Sequence, residues 1–146
     1  KGRFALLDLR HMQMSVAEMK KDPACPVCGA GPERRFLESV EPPYITPAEL
    51  KARLAAPAPP KVVDLRYDWE RALARIAGDE WMDFDALMKD GGGLKTSDEI
   101  VLYCKGQSKS TAAFRRLRAL GFDRVKVLRG GLDAWSEQVD RKMPRY

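Results

Sequence analysis

Cys104 stands at the end of a short apolar run, Ile100-Val101-Leu102-Tyr103. It is followed by Lys105-Gly106-Gln107-Ser108-Lys109-Ser110 and then by a helix-forming stretch. The thiolate is the nucleophilic form of cysteine, and the surroundings decide how much of it exists near neutral pH. A loop of small and polar residues can curl so that its backbone N–H groups converge on one point, where a helix start adds the positive end of its dipole. Such a nest favours thiolate over thiol, and it would equally hold the anionic terminal sulfur of a persulfide. Lys105 and Lys109 add positive charge that would draw in an anionic sulfur donor such as thiosulfate. By spacing alone, a buried structural cysteine fits as well as a reactive one.

The other two cysteines, Cys25 and Cys28, enclose Pro26-Val27 and have the spacing of half a tetrahedral zinc site. A thioredoxin-type redox pair would follow a strand at a helix start, whereas the internal proline and the following Gly29 suit a zinc knuckle better. Three cysteines do not make a disulfide framework and fit a reducing compartment, so a cytoplasmic protein is expected. The one histidine, His11, reads as a structural or exposed residue on a strand.

The elements that must position Cys104 follow from hydrophobic period and punctuation. Alternation at Met12, Met14 and Val16 predicts strand in the opening stretch, and the prolines and glycines from Gly31 to Pro43 read as a linker. Thr46-Pro47-Ala48-Glu49 is a capping box with proline at the first helical position, followed by Leu50 and Leu54. Strands are predicted at Lys61–Leu65, Ile100–Tyr103 and Val125–Leu128. Helices are predicted around Trp69–Ile76, around Phe84–Met88 up to Gly91-Gly92-Gly93, at Ser110–Leu120 and after Gly130-Gly131. Short strands alternating with helices give an α/β class, a parallel sheet flanked by helices on both faces. Its reactive groups then belong at the carboxyl ends of the strands, where Cys104 lies.

Length and charge restrict the partners. The 146 residues hold one ordinary domain plus an appendage, and 45% hydrophobic residues suffice for a core. The net charge of +5 is dispersed, and Arg115, Arg116 and Arg118 read as a solvated helix face, so no nucleic-acid partner is expected. No apolar run approaches membrane-spanning length, and the opening is not a signal peptide. A start at Lys1 reads as a fragment of a longer protein.

The segment Val101 to Ala113 resembles the active-site loop of rhodanese domains. Leu120-Gly121-Phe122 and the run Val127 to Trp135 resemble that family's closing strand, turn and helix. Val62-Val63-Asp64-Leu65-Arg66 with Glu70 resembles its early Asp-x-Arg motif. The resemblance implies that Cys104 takes up a sulfane sulfur as a persulfide. It also implies that Lys105, Gly106, Gln107, Ser108, Lys109 and Ser110 bind the anion, and that Asp64 and Arg66 support the loop from behind. Lys109 stands where many members carry arginine, and Arg75 where a histidine is usual, so no Cys–His pair is available and activation rests on the loop and helix dipole. Related phosphatases have a loop one residue longer, which fits phosphate rather than a single sulfur.

The opening, Gly2 to Gly29, resembles the C-terminal end of the ubiquitin-activating-like adenylyltransferases of molybdopterin and thiamin biosynthesis. The expected organisation is a short β-rich remnant of a truncated adenylation domain at 1–37, a linker at 38–44 and a rhodanese-like domain at 45–146. The resemblance further implies zinc on Cys25 and Cys28 in the full-length protein, the other half of the site lying outside this chain. ATP would serve only the missing adenylation domain. The partners implied are a ubiquitin-like sulfur-carrier protein, converted to a thiocarboxylate, and a donor such as thiosulfate or a cysteine desulfurase. The alternative is a catalytically silent rhodanese-like module that docks a carrier or regulates its neighbour.

Overall fold

The computed structural model describes residues 2–18, 20, 23 and 41–146. The chain divides into two compact units, residues 1–40 and 41–146, and each is described by itself. Cys25 and Cys28 lie outside the described residues.

In the first unit, β1 (Arg3–Asp8) pairs antiparallel with β2 (Gln13–Glu18), Arg3 facing Glu18 and Asp8 facing Gln13. The alternation at Met12, Met14 and Val16 thus ends in a strand, but His11 lies in the turn rather than on a strand. Its N–H and that of Arg10 donate to Asp8 Oδ1, and its ring Nδ1 lies 2.8 Å from Asp8 Oδ2. The Asp8 carboxylate satisfies the turn backbone, which is what short acidic side chains do at such positions.

The second unit is a five-stranded parallel sheet in the order β3-β7-β6-β4-β5, from β3 (Tyr44–Ile45), β4 (Lys61–Asp64), β5 (Glu80–Trp81), β6 (Ile100–Tyr103) and β7 (Val125–Leu128). Five helices join or follow these strands: α1 (Pro47–Leu54), α2 (Asp68–Leu73), α3 (Phe84–Asp90), α4 (Ser108–Ala119) and α5 (Gly131–Gln138). Side chains alternate across a strand, so every strand but the exposed edge strand β5 feeds two cores. Val63, Ile100, Leu102, Val125 and Val127 pack with Leu87 of α3 and with Ala113, Phe114 and Leu117 of α4. Val62, Val101, Tyr103 and Leu128 pack with Leu50 of α1 and with Leu132 and Trp135 of α5. Burial on both faces explains why β6 is apolar at every position.

Several boundaries differ from the sequence expectation. β3 begins at Tyr44, where the linker was expected to end, and the carbonyl of Pro43 already accepts a bond from Val127 N–H. α2 stops at Leu73, short of the expected Ile76, because Ala74 turns into the extended region and its carbonyl is taken by Arg66 Nη2 at 2.6 Å. α4 starts at Ser108, so Ser108, Lys109 and Ser110 form the first helical turn instead of belonging to the loop.

The strand order sets the position of the site. From β4 the chain moves outward to β5, and from β6 it moves the other way to β7. The exit segments of two adjacent central strands therefore diverge, which opens a crevice at their carboxyl ends. Cys104 follows β6 on one side of this crevice, and Leu65-Arg66-Tyr67 follow β4 on the other.

Candidate active site

Cys104 is 3% exposed at the base of a pocket of about 170 Å³ lined by Arg66, Tyr67, Glu70, Lys105, Gly106, Ser108 and Lys109. A larger, open depression of about 460 Å³ runs along residues 68 and 71–75. It holds no nucleophile, so the smaller pocket is where chemistry can occur.

The loop after Cys104 is held from outside by the start of α5. Leu132 N–H donates to the Cys104 carbonyl at 2.9 Å and Asp133 N–H to the Lys105 carbonyl at 3.1 Å. Every described peptide bond is trans, so the Cys104 and Lys105 carbonyls drawn toward α5 turn the N–H groups of Lys105 and Gly106, which both line the pocket, the opposite way. Lys105, Gly106 and Gln107 donate no main-chain hydrogen bond among the described residues. They are thus free for an anion, and the unbonded N–H groups of the first turn of α4 face the same region.

Gly131 makes this arrangement possible. Its φ is +59°, and a Cβ there would lie 2.0 Å from the Gly106 carbonyl oxygen, 2.4 Å from that of Lys105 and 2.5 Å from that of Cys104. Only a residue without a side chain lets α5 approach the loop so closely.

Ser110 is fully buried, with its hydroxyl 3.5 Å from Cys104 Sγ and 3.1 Å from the carbonyl of Gln107, to which it donates. A small rotation would turn the same hydroxyl proton toward an anionic sulfur. The lysine ammonium groups rest elsewhere. Lys109 Nζ lies 3.6 Å from the centroid of the Tyr67 ring, and Lys105 Nζ lies 4.4 Å from that of Tyr146.

Behind the pocket lies a buried polar network. Asp64 is paired in register with Tyr103, and both side chains point to the α1/α5 face. The Tyr103 hydroxyl lies 2.9 Å from Asp64 Oδ2 and 2.6 Å from Asp79 Oδ2. Arg66 donates from Nε to Asp64 Oδ1 at 3.0 Å and from Nη2 to Asp64 Oδ2 at 2.7 Å, a bidentate pair. Arg71 closes the chain on Asp79 at 2.9 Å. Burial works against the Arg66 charge, yet the bonds and field of Asp64 hold its proton more tightly than usual. Burial, followed by the field of Asp64, pushes the Tyr103 hydroxyl far above the ordinary phenol range. Trp81 Nε1 donates to the Arg66 carbonyl at 2.9 Å and fixes the segment after β4.

Of the residues singled out in the sequence, Cys104, Lys105, Gly106, Ser108, Lys109 and Arg66 line one pocket, Ser110 touches Cys104 Sγ and Asp64 holds Arg66, whereas Gln107 does not line it. Tyr67, Tyr103, Asp79, Gly131 and Tyr146 were not anticipated. Tyr103 carried a signal, a hydroxyl in an otherwise apolar strand. Gly131 carried another, the second of two glycines before a helix. Arg75 is exposed at the surface and does not reach Cys104.

A buried cysteine beside unbonded main-chain N–H groups, at the switch point of a parallel α/β sheet, stands where an anion could be held. The chain belongs to the rhodanese-like domain family, whose model matches residues 46–138. It is 27% identical over 99% of its length to the probable adenylyltransferase/sulfurtransferase MoeZ of Mycobacterium tuberculosis, of which it covers 40%. It is 29% identical over 68% of its length to the tRNA uridine(34) hydroxylase of Rhizobium leguminosarum bv. trifolii, of which it covers 34%. Among solved structures, a rhodanese-like domain protein from Staphylococcus aureus superposes with a TM-score of 0.59 at 29% identity, covering 66% of this chain and 94% of that one. The chain therefore spans well under half the length of these two curated relatives.

Proposed function

We propose that this chain is a sulfurtransferase domain in which Cys104 carries sulfur as a persulfide. The observation that supports this most directly is the grip of α5 on the Cys104 and Lys105 carbonyls, which turns the unbonded N–H groups of Lys105 and Gly106 away from α5. With thiosulfate as donor, the Cys104 thiolate would attack the sulfane sulfur and expel sulfite, leaving a Cys104 persulfide anion in the nest. Residues 105–107 and the first turn of α4, Ser108 to Ser110, would stabilise that anion. Asp64 and Arg66 would keep the facing wall rigid.

The similarity to MoeZ supports a finer reading, in which the acceptor is the adenylated C-terminus of a ubiquitin-like sulfur-carrier protein. The persulfide would attack the acyl-adenylate and expel AMP, and an external dithiol would then open the acyl disulfide to release the thiocarboxylate. In that reading the first unit is the end of an adenylating domain. Cys25 and Cys28 would be half of its zinc site, and ATP a substrate of that domain alone.

A docking module without chemistry is the second reading, and the seating of both lysine ammonium groups on aromatic rings favours it. The experiment that separates the two is intact mass after incubation with thiosulfate and then cyanide, on wild type and Cys104→Ala. The sulfurtransferase gains one sulfur atom that cyanide removes and the variant never acquires. A wild type left unmodified by thiosulfate and by a cysteine desulfurase persulfide would overturn the proposal.

A further inference from the structure

Tyr146 lies 42 residues beyond Cys104 in sequence and touches both walls of the Cys104 pocket. The tail that carries it is anchored by Met143, which packs against the core on the α1/α5 face. On one wall, the Tyr146 hydroxyl accepts from Arg66 Nη1 at 2.6 Å and donates to Glu70 Oε1 at 3.0 Å. Its ring meets Trp69 of α2 edge-on, with centroids 6.1 Å apart. On the other wall, Lys105 Nζ sits 4.4 Å from the ring centroid and donates to the Tyr146 carbonyl. Arg66 and Glu70 belong to the segment after β4, and Lys105 to the loop after β6. Those two segments diverge at the switch point, and their separation sets the width of the mouth.

From these contacts we infer that Tyr146 is a positioning residue that ties the two walls together and thereby selects, by size, what reaches Cys104. The inference deepens the sulfurtransferase reading and rests on it for its meaning: a closed mouth admits a small anionic donor, whereas a bulky acceptor requires the tail to lift. Lifting would also free the Lys105 ammonium from the ring and carbonyl that now hold it, placing a cation at the open mouth when an anionic acceptor arrives. Glu70 has a second role on its own wall. Its Oε2 accepts the Tyr67 N–H at 3.1 Å, so the carboxylate that holds Tyr146 also fixes the turn into α2.

The test needs no sulfur donor, so its failure is distinct from failure of the sulfurtransferase reading. Alkylation rates of Cys104 are measured with iodoacetamide and with fluorescein maleimide, on the full chain as wild type, Tyr146→Phe and Tyr146→Ala. In Tyr146→Ala the maleimide rate rises by about tenfold relative to the iodoacetamide rate, as expected when hydrogen bonds to charged groups no longer hold the mouth closed. Tyr146→Phe keeps the ring beneath Lys105 but loses the bonds to Arg66 and Glu70, and it falls between the other two. A merely structural role would raise both rates together through loosening of the domain. An unchanged ratio in Tyr146→Ala, with its urea midpoint either kept or lowered, overturns the inference.

Discussion

Gly131→Ala should disable the Cys104 loop while leaving the sheet intact. The new Cβ would meet the Gly106 carbonyl oxygen at 2.0 Å, so the loop must retreat by about 1.4 Å to reach the 3.4 Å of ordinary contact, a misplacement large enough to cost about a hundredfold in rate. The retreat breaks two bonds, Leu132 N–H to the Cys104 carbonyl and Asp133 N–H to the Lys105 carbonyl. At about 1 kcal/mol for each bond and about 1–2 kcal/mol for alanine in the left-handed region, the loss of stability is about 3–4 kcal/mol. Gly121→Ala is the control. Gly121 also has a positive φ, +89°, but a Cβ there meets nothing within 4 Å, so only the conformational cost of about 1–2 kcal/mol applies. The assays are urea unfolding and the initial rate of persulfide loading by intact mass. If Gly131→Ala loads Cys104 at the same rate as Gly121→Ala, the loop does not depend on close approach of α5 and the reasoning is refuted.

Asp64→Asn removes the charge facing Arg66 in a fully buried pair, and urea unfolding should show a loss of about 3–5 kcal/mol. Tyr103→Phe leaves Asp64 and Asp79 without their shared donor, at a cost of about 1–3 kcal/mol. Because folding raises the Tyr103 pKa above its usual 10.0, this group's contribution is fully present below pH 10 and is lost as pH climbs above it. The stability gap between wild type and Tyr103→Phe, followed by urea unfolding, should therefore narrow above pH 10. Lys109→Ala removes an ammonium that rests on Tyr67, and its thiosulfate loading rate should fall only a few-fold and lose its salt dependence. Thr46→Ala breaks the capping box of α1 and should cost about 1 kcal/mol in urea without changing the loading rate.

The β4, β6 and β7 strands and most of the helices were legible because long or doubly buried elements carry period and punctuation. The capping box at Thr46 and the triple glycine after α3 fixed two boundaries within a residue or two. The edge strands β3 and β5 were not legible, since two residues have no period and both exist only by pairing with a neighbour distant in sequence. Cys104 and its loop could be read because the nest is contiguous in sequence. Tyr103 read as core, because its polar role depends on register. Only pairing of β4 with β6 brings Asp64 beside it, and only the turn before β5 brings Asp79. Gly131 and Tyr146 act on residues 25 or more positions away, so the paired glycines could mark a turn at Gly131 but no local pattern could show what either residue touches.

The placement of charge around Cys104 also decides which substitutions should matter. Two helix starts converge on residues 104–107: α4 from the C-terminal side and α5 from behind. The N–H groups of α5 take the carbonyls of residues 104 and 105, and a peptide whose carbonyl is hydrogen-bonded is polarised so that its own N–H is a better donor. The lysine ammonium groups, by contrast, rest on the rings of Tyr146 and Tyr67. On the proposed function, a sulfur anion on Cys104 would thus be stabilised by fixed main-chain dipoles, which need no reorganisation when charge arrives. On that reading Lys105 in the loop and Lys109 in the first turn of α4 can stand without arginine's bidentate fork, provided Gly131 stays a glycine.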